Sequence, residues 1–292
     1  MTFKPYQANA VLLLTAVGWG VTFALVQEAI SSVPTLTFIF WRFLVAFFIM
    51  AIIIYKSWQL LDKKTFIAGL VIGALSFIAF ALQTFGLEHT SPATSAFVTA
   101  MSVVLVPLLS YFIYKERLSV WIFIGIILSV AGLWLLTGQS KIGFGIGEGV
   151  TLAGSLFFSL SIIASDIYIK QGLNIELMVV IGFGFTAVLS FLLALFLDGR
   201  VSIGVVGSNF WIDFFITVVI ATVFAFWAQT SMQRFTSPTN VALLLIMEPL
   251  SAAIFSHYYI SEEFDTIKIA GATLMILGII SASVLNKPKL EA

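Results

Sequence analysis

Runs of about twenty apolar residues, the length that crosses the hydrocarbon core of a bilayer, recur along this chain with little between them. They fall at roughly 8–30, 35–55, 65–87, 91–114 and 119–138, and again at 146–171, 174–197, 208–234, 238–260 and 265–285. The 292 residues are 60% hydrophobic and only 10% charged, whereas a soluble domain is about a quarter charged. Lipid is itself an apolar solvent, so such side chains need no protein interior to cover them. The reading is an all-α integral membrane protein with ten transmembrane helices. The first run is too long for a signal-peptide core and lacks a small-residue cleavage pattern, so it reads as a retained span.

The short connections leave no room for an ATPase, receptor or extramembrane enzyme domain. The absence of cysteine excludes disulfides, thiolate metal sites and a Cys nucleophile. Formal neutrality and the lack of a basic tract argue against nucleic acid as a partner; the partners expected are the lipid bilayer and a small solute.

Orientation follows from Lys and Arg, which accumulate on the cytoplasmic side. With the N-terminus inside, that side holds Lys4, Lys56, Lys63, Lys64, Lys115, Arg117, Lys170, Arg234, Lys287 and Lys289; the opposite side holds Lys141, Arg200 and Lys268. Both termini are therefore expected in the cytoplasm of a cell whose inner, or plasma, membrane holds the chain.

An internal repeat sets the domain plan. Gln83-Thr84, Thr90-Ser91-Pro92, Ala96, Met101, Glu116, Gly125 and Gly132 recur 146 residues later as Gln229-Thr230, Thr236-Ser237-Pro238, Ala242, Met247, Glu262, Gly271 and Gly278. Spans three to five are thus copied in eight to ten, giving a first repeat over 1–142 and a second over 143–292. A half with an odd number of spans enters the membrane opposite to its twin. The repeats are inverted, an arrangement that lets two similar halves exchange conformations around a central cavity, as in secondary transporters.

Glu248 sits midway along span nine, where a charge costs roughly 2.5–3.5 kcal/mol on insertion scales. It is either a proton-titrating or cation-binding carboxylate or a structural group hydrogen-bonded beside Pro249. Gln83 and Gln229 hold equivalent places, either as cavity-lining amides or as hydrogen-bonding links between helices. Trp19, Thr22 and Phe23 make a candidate aromatic wall, and Thr99, Met101, Asn240 and Met247 are lining candidates on spans four and nine. Asp166 is either a second coupling site or a helix-surface partner of Lys170 at i,i+4, the latter preferred. His89 and His257 lack the neighbours of a metal site, and no cofactor is expected. Gly69 with Gly73, Gly125 with Gly132 and Gly271 with Gly278 read as helix-packing contacts. The glycine run from Gly143 to Gly149 lacks the spacing of a phosphate or dinucleotide loop.

Gly18-Trp19-Gly20, Trp41-Arg42-Phe43, Gln83-Thr84, Thr90-Ser91-Pro92, Lys115-Glu116, Gly125, Gly132 and Met247-Glu248-Pro249, in this order and with the repeat, resemble the drug/metabolite transporter superfamily in its ten-span branch with two EamA-type repeats. The resemblance implies a carrier or exporter of amino acids and other small metabolites, with a cavity lined by spans one, three, four, six, eight and nine. It makes span two peripheral, which favours a structural ion-pair or snorkelling role for Arg42 over a substrate contact. Ser161, Ser165 and Asp166 stand where a Gly-Trp-Gly copy is expected. The expected activity is secondary transport by alternating access, as export or exchange, proton-linked through Glu248. An intramembrane enzyme and a channel-like facilitator are the alternatives, and neither a protease motif nor a filter sequence supports them.

Overall fold

Backbone amides inside lipid must find partners within the chain, which leaves helices as the form available to these apolar runs. The computed structural model describes residues 5–114, 120–137, 144–199, 201–232, 245 and 247–281. Asn240, Lys4, Lys115, Glu116, Arg117, Lys141, Gly143, Arg200, Arg234, Thr236, Ser237, Pro238, Ala242, Lys287 and Lys289 lie outside the described residues.

The helices are α1 (Pro5–Ser32), α2 (Thr35–Ile53), α3 (Lys63–Leu87), α4 (Pro92–Thr99), α5 (Ser102–Tyr114), α6 (Val120–Thr137), α7 (Ile146–Lys170), α8 (Ile175–Asp198), α9 (Ser208–Ile216), α10 (Ala225–Met232), α11 (Met247–Ile260) and α12 (Thr266–Ile280). A 3₁₀ turn, Ser57–Leu60, links α2 to α3, and a π-helical segment, Thr217–Phe224, joins α9 to α10. Among the described residues seven stretches are long and apolar enough to span a membrane, including Pro92–Ile113, assembled from α4 and α5, and Ser208–Gln229, assembled from α9, the π segment and α10. The shorter apolar helices Val120–Leu136 and Thr266–Ile280 take the fifth and tenth places. Large apolar side chains such as Ile52, Trp134 and Phe196 lie exposed on the outside of the bundle, where lipid would cover them.

Short polar residues start the helices. Asp62, Ser91, Asn174 and Asp265 accept the backbone N–H of Thr65, Thr94, Leu177 and Lys268 at 2.8, 3.3, 3.1 and 2.7 Å, which satisfies amides that have no intrahelical acceptor. After α8 the chain turns at Gly199, whose φ of +66° suits a residue without Cβ.

The packing obeys an exchange of halves. Moving each span five places along sends the span three to span six contact onto that between spans eight and one. It likewise sends one–nine onto six–four, and three–seven onto eight–two; all of these occur, and five–ten, two–seven and four–nine map onto themselves. Individual glycines repeat the relation. A Cβ on Gly132 would lie 2.5 Å from the Gly271 carbonyl oxygen, and one on Gly278 would lie 2.7 Å from that of Gly125. Adding 146 to Gly132 and subtracting 146 from Gly271 turns the first pair into the second. The bundle is therefore two inverted five-helix repeats, and the glycines pack helices as expected. Gly69 and Gly73 do the same against Ile181 and Gly182 of α8.

Two spans depart from the uniform helices expected. Span four breaks between α4 and α5, where Met101, Val103 and Val104 donate to carbonyls only three residues back, at 3.1, 3.0 and 2.9 Å. Serines of α7 cover the loosened carbonyls: Ser155 Oγ donates to Val98 O at 2.9 Å and Ser159 Oγ reaches Ser102 O at 3.4 Å. Span eight widens into the π segment, a local form common at functional sites.

Candidate substrate cavity

The interior of the bundle holds a cavity of about 170 Å³. Its walls come from both repeats, and the lining positions on each helix follow the spacing of one face. On α3 they are Ile72, Ser76, Phe80, Gln83, Thr84 and Leu87; on α7, Phe158, Ser161, Ile162 and Ser165; on α8, Met178, Val179, Gly182, Phe183 and Thr186. Steps of three and four along a helix bring such side chains to one side.

Most of the wall is aromatic. Phe80 meets Phe43, Phe158 and Phe226 at centroid distances of 5.0, 4.9 and 6.0 Å, and Phe226 meets Phe183 at 5.4 Å and Trp19 at 6.1 Å. Tilted and edge-on rings in contact hold one another in place. The π segment anchors two wall residues. Trp19 Nε1 donates to the Ala221 carbonyl at 2.8 Å, and Thr222 Oγ1 accepts from Arg42 Nε at 2.8 Å.

Trp19, Thr22, Phe23, Gln83, Thr99, Gln229 and Glu248 all line this cavity. Gln83 donates to Thr99 Oγ1 at 3.0 Å, tying α3 to α4. Glu248 stands in the first turn of α11 immediately before Pro249, and its carboxylate makes no hydrogen bond or ion pair with the described residues. The helix is pressed against α1 there, because Gly20 has no side chain: a Cβ would lie 2.2 Å from the Glu248 carbonyl oxygen.

Other expected positions fall elsewhere. Met101 packs with Phe97, Leu133 and Met275 in a separate apolar cluster, and Met247 is not in the lining. Asp166 pairs with Lys170 at 2.7 Å on the exposed side of α7, its side chain 45% accessible, which is the helix-surface reading. No group of His, Asp and Glu among the described residues is arranged to hold a metal ion.

Spans two and seven also line the cavity, which corrects the expectation that span two is peripheral. Arg42 is 4% exposed, takes part in no ion pair with the described residues, and stands in the wall beside Phe43. The reason is packing: α2 lies against α8 and the π segment, so its inward face meets the cavity. The spans are exchange partners, which is why they enter together. Arg42 carried a usable signal, as a charge inside a span is a functional candidate by default; Phe80, Phe158, Phe183 and Phe226 carried none among 29 Phe.

The EamA-like transporter family matches residues 7–138 and, a second time, residues 145–284. The chain belongs to that family. Among EamA-like relatives, an uncharacterized transporter of Archaeoglobus fulgidus is 30% identical over 96% of this chain and 87% of its own length. The uncharacterized transporter YyaM of Bacillus subtilis is 26% identical over 92% of each. A solved crystal structure superposes with a TM-score of 0.67 at 20% identity, covering 98% of this chain and 99% of that one. These matches establish a multi-pass transporter of the EamA type and agree with the superfamily resemblance drawn from its motifs.

Proposed function

We propose that this protein is a secondary transporter that exports or exchanges a small amphipathic metabolite, an amino acid or related compound, by alternating access. Glu248 carries a coupling proton. The two repeats, with their boundary at 142–143, are the parts that rock against each other, and both termini face the cytoplasm of a plasma-membrane protein.

One observation carries the reading: a half-buried carboxylate without a partner among the described residues faces a small-molecule-sized cavity that both repeats build. A carboxylate at this depth is costly and tends to mark a solute or proton path. Hydrogen bonds cluster at the end of the bundle away from the termini. Gln27 donates to the Leu87 and Thr90 carbonyls, each at 2.9 Å, Thr35 donates to the Glu88 carboxylate, and Thr90 donates to Glu148 at 2.5 Å. These bonds tie α1, α2, α3 and α7 together, and in an alternating-access cycle they would form and break as that end shuts and opens.

The test is flux of labelled amino acids in proteoliposomes under an imposed pH gradient. Saturable, gradient-dependent flux is expected, and Glu248→Gln should fold normally yet lose the pH dependence. Unchanged pH dependence removes Glu248 from coupling; flux that never saturates favours a channel-like facilitator.

A further inference from the structure

The guanidinium of Arg42 stands in the cavity wall with most of its donors uncommitted. Arginine carries five N–H donors, and one of them, on Nε, is given to Thr222. Among the described residues the terminal nitrogens have no hydrogen-bond partner and no carboxylate lies within ion-pair distance. A buried cation is ordinarily paired, because an uncompensated one is expensive. Glu248 lines the same cavity and does not neutralise it, since the two make no ion pair.

The guanidinium is also held rigidly. Its central carbon lies 5.0 Å from the centroid of the Phe80 ring and 5.4 Å from that of Phe43, favourable cation–π distances. The Thr222 bond fixes the remaining edge. A clamped fork that keeps its terminal donors free is pre-set for a planar anion that accepts two parallel hydrogen bonds. A snorkelling arginine would reach for water, and this one is 4% exposed.

We propose that Arg42 is the anion anchor of the cavity, so that the cargo is a compound with a carboxylate at one end and an apolar body lying among Phe43, Phe80, Phe158 and Phe226. This rests on reading the cavity as the transport site. It narrows the substrate class to solutes whose carboxylate is free, and makes Arg42 a specificity-determining residue.

The experiment uses the purified full-length protein and matched pairs of probes: phenylacetate with phenylacetamide, L-phenylalanine with its carboxamide, L-leucine with its carboxamide. Binding is read by isothermal titration and by shifts in thermal unfolding, and saturable flux is measured in parallel. At least one carboxylate should bind ten or more times tighter than its amide. Arg42→Gln should erase that preference, and Arg42→Lys, which keeps the charge and loses the fork, should keep only part of it. If Arg42→Gln does not fold, Thr222→Val keeps the cation, removes its clamp, and should narrow the carboxylate preference. Equal affinity for acids and amides in the wild type, or a preference that survives Arg42→Gln or, in its place, is left unnarrowed by Thr222→Val, overturns the anchor and leaves the transport reading standing. Failure of every pair to bind, with no saturable flux of any probe, overturns both.

Discussion

Replacing Gly20 by alanine tests whether the α1–α11 contact holds Glu248 in place. The new Cβ would lie 2.0 Å from Ser251 Oγ, 2.2 Å from the Glu248 carbonyl oxygen and 2.8 Å from the Ala252 amide nitrogen. Ordinary contacts between non-bonded heavy atoms are about 3.5–4.0 Å. The Ser251 hydroxyl can rotate away, whereas the other two atoms are backbone. Relief therefore requires the helices to part by roughly 1 Å or more, given that contact distance. Overpacking of this kind costs about 1–3 kcal/mol, and because Glu248 sits on the contact its carboxylate moves as well. Thermal unfolding in detergent should show a clearly lowered midpoint, and saturable flux should fall further than the stability loss explains. Gly149→Ala is the control. Its nearest neighbour is a Phe144 ring carbon at 3.6 Å, so alanine fits and helix propensity favours it by up to about 1 kcal/mol. A Gly20→Ala protein as stable and as active as the wild type would refute the argument.

Two further outcomes are expected. Asp166→Asn removes an exposed i,i+4 pair, so thermal unfolding should change by no more than about 0.5 kcal/mol; a lost pH dependence of flux would reinstate Asp166 as a coupling site. Asp62, at the cap of α3, has its carboxyl held below the ordinary range by the Thr65 hydroxyl and then by the Thr65 N–H. A lowered folded value means that its stabilisation is present at neutral pH and lost as pH falls below about 4. Amide exchange at the start of α3 should accelerate there, and Asp62→Asn, which still caps, should flatten the change.

Much of this architecture is legible in the residues, for physical reasons that differ from place to place. Apolar run length locates spans because bilayer thickness is fixed, and α2, α3, α7 and α8 begin and end within about three residues of where those runs do. The 146-residue offset exposes the inversion because Gln, Pro and Gly are costly to place at random in a span. The break at Ala100–Met101 was hidden, because the carbonyls that let the helix loosen are covered by Ser155 and Ser159 from another span. Cavity lining divides the same way. Trp19, Gln83 and Glu248 stand out by type, whereas the four phenylalanines are distinguished only by which face of a helix turns inward. Met101 and Met247 match by repeat position and neither lines the cavity, since repeat position fixes place along a helix without fixing which face turns inward.

The four glycines between α6 and α12 carry one more implication. Because Gly132 against Gly271 becomes Gly278 against Gly125 when the halves trade places, neither side of that seam is specialised to be first or second. A chain of half this length bearing the same two glycines would meet an identical copy, threaded into the bilayer the other way up, through the same surface. Fusion into one polypeptide then guarantees equal numbers of each orientation, which two free copies would have to achieve by chance of insertion.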